Sequence, residues 1–120
     1  MTPQLDLSGF TEWRDTPFSG AATHLPLVID VREAWELQTA SVVPDGFTLM
    51  HIPMREIPQR LAGLQEAYGT AHPIACLCHH GIRSMQAANF LTHSGFTGVV
   101  NLQGGIEAWS RQVDPRVPLY

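Results

Sequence analysis

Two cysteines stand two positions apart, Cys76 and Cys78, and the second opens a polar stretch, Cys78-His79-His80-Gly81-Ile82-Arg83-Ser84, directly after the apolar run Ile74-Ala75-Cys76-Leu77. In an open parallel sheet, ligands bind beyond the carboxyl ends of the strands, where the loops diverge, and Cys78 falls at such an end. Inward-facing loop amides, the positive end of a following helix and the Arg83 guanidinium would each favour the thiolate, which is the reactive form of a cysteine. The same groups make an anion cradle able to hold a transferred sulfur or a sulfonate. Gly81 permits a positive φ where a tight loop needs one. Ser84 is expected to cap the helix, and Arg83, as the last loop residue, to bind loop carbonyls or an anionic substrate through its forked donors.

Other residues earn smaller roles. Cys76, between Ala75 and Leu77, reads as a small core hydrophobe. A Cys76–Cys78 disulfide would be strained on an extended strand, so both are read as free thiols. His79 and His80 read as exposed walls of the loop, and with the two cysteines they form no recognised zinc spacing; His24, His51, His72 and His93 are scattered, so no metal is expected. Asp30 and Arg32, two apart at a strand end, should share a face and act as structural ion partners supporting the site. Trp35, Phe90 and Trp109 are read as packing residues.

These side chains need a frame. Four short apolar runs rich in β-branched residues, Leu25 to Ile29, Thr48 to Ile52, Ile74 to Cys78 and Val99 to Leu102, predict buried strands. Helical spacing predicts helices over Ala34 to Thr39, Ile57 to Tyr68 (ended at Gly69), Ser84 to His93 (stopped by Gly95) and Ile106 to Gln112. Alternating strands and helices over short connections imply an α/β fold, a small mostly parallel sheet with helices on both faces. Leu5-Asp6-Leu7 is expected to be a short edge strand and 10–18 a helix in poor register. The tail from Val113 to Tyr120, with prolines at 115 and 118, is expected to lie extended across the surface.

Composition narrows the function classes. A chain of 120 residues with 44% hydrophobic content can bury one core, so a single domain over 1–120 is expected. The net charge is -4 and the seven Lys+Arg form no run, which argues against nucleic acid or an anionic membrane as partner. No stretch approaches the ~18 apolar residues of a membrane span and the start lacks a secretory pattern, so a cytoplasmic protein is expected.

The pattern Cys-x-x-Gly-x-Arg-Ser after an apolar strand resembles the active-site loop of the rhodanese family. Asp30-Val31-Arg32, His51-Ile52-Pro53 and Leu102-x-Gly104-Gly105 followed by Trp109 are similar to further segments of that family, in the same order, so the resemblance spans about 25–118. The segment 40–47 departs from the family's usual approach to the His-Ile-Pro segment. The resemblance implies a sulfurtransferase that moves a sulfane sulfur from a donor such as thiosulfate to cyanide or a thiol through a Cys78 persulfide, with no cofactor. Small-molecule donors and acceptors, or a partner protein as acceptor, are the expected partners. The alternatives are a sulfur-carrier or regulatory interaction domain, and a cysteine phosphatase or arsenate reductase. The last pair resemble Cys-x5-Arg loops, whereas Cys78 to Arg83 is one residue shorter.

Overall fold

The computed structural model describes residues 2–18 and 25–120; His24 lies outside them. Five strands form one parallel sheet in the order β1-β5-β4-β2-β3, with β1 at Gln4–Leu5, β2 at Leu27–Asp30, β3 at Thr48–His51, β4 at Ile74–Leu77 and β5 at Val99–Leu102. Helices α1 (Phe10–Asp15), α2 (Ala34–Thr39), α3 (Ile57–Tyr68), α4 (Ile82–His93) and α5 (Gly105–Gln112) supply the connections. The α/β architecture is therefore as the spacing of apolar runs predicts.

Side chains alternate across the sheet, and the core divides accordingly. Leu27, Ile29, Ile74 and Cys76 face the side covered by α3 and α4, with Cys78 in the same cluster. Val28, Ala75 and Leu77 face the opposite side, where Phe10 of α1, Ile106 and Trp109 of α5 and Val117 of the tail pack. Burial on both faces explains why the strands read as continuous apolar runs.

Several boundaries differ from expectation. The second strand starts at Leu27, leaving Leu25 half exposed, and the fourth ends at Leu77, so Cys78 has already left the ladder. The edge strand stops at Leu5 because Asp6 turns to accept the Ser8 amide and begin a 3-10 turn. Trp35 is 63% exposed rather than packed, whereas Trp109 is in the core. The tail lies across the surface, with Arg116, Pro118 and Leu119 exposed, but it is pinned there: Val117 is buried, its carbonyl accepts the Ser110 hydroxyl, and the chain carries Tyr120 back to the Cys78 loop.

Candidate functional site

Strand β4 lies between β2 and β5, so the residue leaving its carboxyl end is surrounded by the ends of both neighbours. Cys78 is that residue. Its Sγ is nearly enclosed and accepts two hydrogen bonds, from the Gly81 amide at 3.0 Å and from the Ser84 hydroxyl at 3.3 Å. Both donors come from the loop and first turn that follow, so the sequence-local stretch 78–84 does close on its own sulfur. Cys76 sits in the sheet core, where burial pushes its thiol up to about 12.

Two sequence expectations about this stretch are corrected. Helix α4 begins at Ile82, after Gly81 at φ 101°, so Gly81 is its N-cap and Ser84 lies inside the first turn. The earlier start turns the Ser84 hydroxyl onto the sulfur instead of onto a backbone amide. Arg83 is likewise a helix residue, and its guanidinium makes a two-pronged pair with Glu36, at 2.7 and 2.8 Å, rather than binding loop carbonyls. Ile82, beside it, is 73% exposed at the mouth of the loop.

Glu36 was not singled out from the sequence, although it holds this side of the site together. Its carboxylate accepts from Arg83, from the Glu33 amide at 2.9 Å and from the Tyr120 hydroxyl at 3.0 Å. The Arg83 contact above all holds the Glu36 carboxyl down at about 2, against the opposing effect of burial. Deeper still, Arg32 and Asp30 form a wholly buried ion pair at 2.7 Å. Arg32 spends its remaining donors on the Ala40 carbonyl and the Tyr120 hydroxyl, and its own carbonyl accepts from His51 Nε2 at 2.6 Å. Every polar partner needed to hold a buried charge is thus present. The departing segment 40–47 still serves this cluster through the Ala40 carbonyl.

The other side of the loop is fixed by backbone. The Ile106 amide donates to the Cys78 carbonyl at 2.8 Å and the Glu107 amide to the His79 carbonyl at 3.3 Å, so the first free amides of α5 are satisfied by the loop itself. This close approach requires Gly105, since a Cβ there would overlap the Cys78 and His79 carbonyl oxygens. The buried Asn101 of β5 donates to the Gly81 carbonyl at 3.1 Å. The Gly104-Gly105 pair and Asn101 are visible in the sequence, but their target is not.

His79 and His80 stack on each other at 3.8 Å between centroids, and His79 stacks on Tyr120 at 3.9 Å. Among the described residues, the ligating atoms of His79, His80 and Glu107 lie within 4.8 Å of one another, the one cluster with the makings of a metal site. The two imidazole planes are only 20° apart, so an ion in the plane of one ring would lie out of the plane of the other. Surface clefts lined by Phe10, Arg14 and Trp109, and by Met54, Ile57 and Phe90, include no residue of 78–84; the second takes Gln86, Ala87 and Phe90 from α4 beyond the loop.

Comparison with known proteins agrees with this geometry. The family described as Rhodanese-like domain matches residues 17–112. A thiosulfate sulfurtransferase of Actinobacillus succinogenes is 32% identical over 98 residues, covering 82% of this chain and 81% of that protein. An adenylyltransferase and sulfurtransferase of Zea mays is 36% identical over 94 residues, 78% of this chain but 20% of that much longer protein. Among solved structures, a rhodanese-related protein of Thermoplasma volcanium superposes with a TM-score of 0.72 at 26% identity, covering 98% of this chain and 99% of that one.

Proposed function

Because the chain belongs to the rhodanese-like domain family, we propose that it is a sulfurtransferase whose Cys78 carries the sulfur as a persulfide. The observation that carries this reading is the pair of hydrogen bonds aimed at Cys78 Sγ from Gly81 and Ser84. Two donors aimed at one sulfur are placed to hold the charge of a second sulfur bonded to it.

In the proposed cycle, the Cys78 thiolate attacks the outer sulfur of a donor such as thiosulfate. The sulfur–sulfur bond of the donor breaks, sulfite leaves with the electron pair, and the negative charge moves to the terminal sulfur of Cys78. A nucleophilic acceptor, cyanide or a thiol, then takes that sulfur and returns the thiolate. The steps use covalent catalysis alone and call for no cofactor. A partner protein can stand as acceptor in the same scheme, and the cytoplasm, where thiols stay reduced, suits it. A phosphatase reading is less well supported, since the guanidinium a phosphate would need is already engaged by Glu36.

The test is to treat the reduced protein with thiosulfate, desalt it, and measure its intact mass without reductant. Wild type is expected to gain about 32 Da, one sulfur atom, removable by cyanide, and Cys78→Ser to gain nothing. Absence of an adduct with any sulfane donor would sink the proposal.

A further inference from the structure

The basic side chains in and beneath the Cys78 loop stand beside carboxylates. Arg32 is wholly buried against Asp30 at 2.7 Å. The ligating atoms of His79 and His80 lie within 4.8 Å of Glu107. Arg83, partly exposed, turns both arms of its guanidinium onto the buried carboxylate of Glu36. The Glu36 hydrogen bonds above all hold the Arg83 guanidinium well above its ordinary value, and the charge of Cys78 adds to the effect, so this cation is within electrostatic reach of the sulfur. An anion arriving at Cys78 therefore meets an ion pair of no net charge, where a lone guanidinium would draw it in. The pair also has apolar neighbours. Trp35, beside Glu36, and Ile82, beside Arg83, are the two most exposed large hydrophobic side chains among the described residues. Ile82 directly follows Gly81, whose amide donates to Cys78 Sγ.

We propose that Glu36 is a specificity-determining residue: by holding Arg83 in a neutral pair beside an apolar mouth, it makes the site select organic sulfane donors, whose outer sulfur is attached to an apolar body of low charge, over the thiosulfate dianion. The inference rests on the sulfur-transfer reading above and assigns its donor class. An organic thiosulfonate shows the step. The Cys78 thiolate attacks the outer sulfur, the sulfur–sulfur bond breaks, and the sulfinate leaves with the electron pair. The outer sulfur, now on Cys78, carries the negative charge towards the Gly81 amide and the Ser84 hydroxyl. Thiosulfate makes and breaks the same bonds but brings a second negative charge and no apolar surface. That charge must lose water at a nearly enclosed sulfur while Arg83 is already engaged, whereas an apolar body gains by covering Ile82.

The experiment uses the reduced full chain and follows its gain of one sulfur in mass, at low donor concentration, from thiosulfate and separately from benzenethiosulfonate, a monoanion with an aromatic body. A change in the thiolate fraction of Cys78 moves both rates alike, so their ratio reads the donor. Glu36→Gln leaves Arg83 a lone cation, which a dianion feels about twice as strongly as a monoanion. It is expected to shift the ratio at least about threefold towards thiosulfate, and added salt should shrink that shift. Arg83→Gln leaves the Glu36 charge uncompensated and should shift the ratio at least about threefold the other way; it decides the matter if Glu36→Gln fails to fold. Ile82→Asn should slow loading from benzenethiosulfonate at least about threefold more than loading from thiosulfate. A pair that only holds the fold together would change both donors by one factor in each charge variant, and that result would overturn the proposal. An unchanged ratio in Ile82→Asn would overturn the role of the apolar mouth. Failure of wild type to load from either donor would instead overturn the transferase reading.

Discussion

At the scale of residues, the site is a set of paired charges around one sulfur. Glu36 shows how the pairing acts. Its carboxyl is held down at about 2 in the folded protein, well below the ordinary carboxylate value of 4.5, chiefly by the Arg83 contact. A group whose folded value is depressed stabilises the fold fully above its unfolded value, and that contribution drains away as pH falls through the folded one. Denaturant unfolding from about pH 5 down to about pH 3 should therefore show wild type losing stability faster than Glu36→Gln, which lacks the titrating group. The same slope in both would mean that the Arg83–Glu36 pair adds nothing to the fold. Cys78, Gly81, Arg83 and Ser84 are all legible as a constellation in the sequence, because they lie within seven consecutive positions. Their partners are not, since Glu36 and Tyr120 approach from 47 residues upstream of Arg83 and 84 residues downstream of Glu36.

At the scale of elements, the site depends on how α5 meets the Cys78 loop. The amides of Ile106 and Glu107 reach the loop carbonyls because Gly105 has no Cβ and adopts φ 61°. Gly105→Ala is expected to cost more than about 2 kcal/mol in thermal or denaturant unfolding, through both overlap and an unfavourable backbone. It should also slow sulfur loading on Cys78, because the loop must move away. A variant with wild-type stability would show that α5 does not hold the loop. The four longer strands and α3 follow from apolar spacing and from Gly or Pro at their ends, and α2 from its helical spacing after the second strand. The start of α4 does not: the αL turn at Gly81 lets the helix begin two residues before Ser84, a choice set by the Asn101 and α5 contacts around that turn.

At the scale of the molecule, two apolar layers enclose the sheet and leave the strand ends to build the site. Ile29, wholly buried on the interior strand β2 between β4 and β3, is a test of that core. Ile29→Ala should destabilise by about 2–5 kcal/mol and lower the melting temperature by several degrees, whereas a loss below about 1 kcal/mol would mean the α3–α4 layer closes over the gap. No helix among the described residues is long and apolar enough to cross a membrane. What the sequence by itself determined is the α/β class, most element bounds and the position of Cys78 at a strand end, because hydrophobic period and turn residues are local signals. What only the tertiary structure decided is which groups meet that cysteine's loop. Arg83 turns to Glu36, Ser84 to the sulfur and Tyr120 to His79 because burial leaves each polar atom to find a partner in space, and spatial neighbours here are separated by most of the chain.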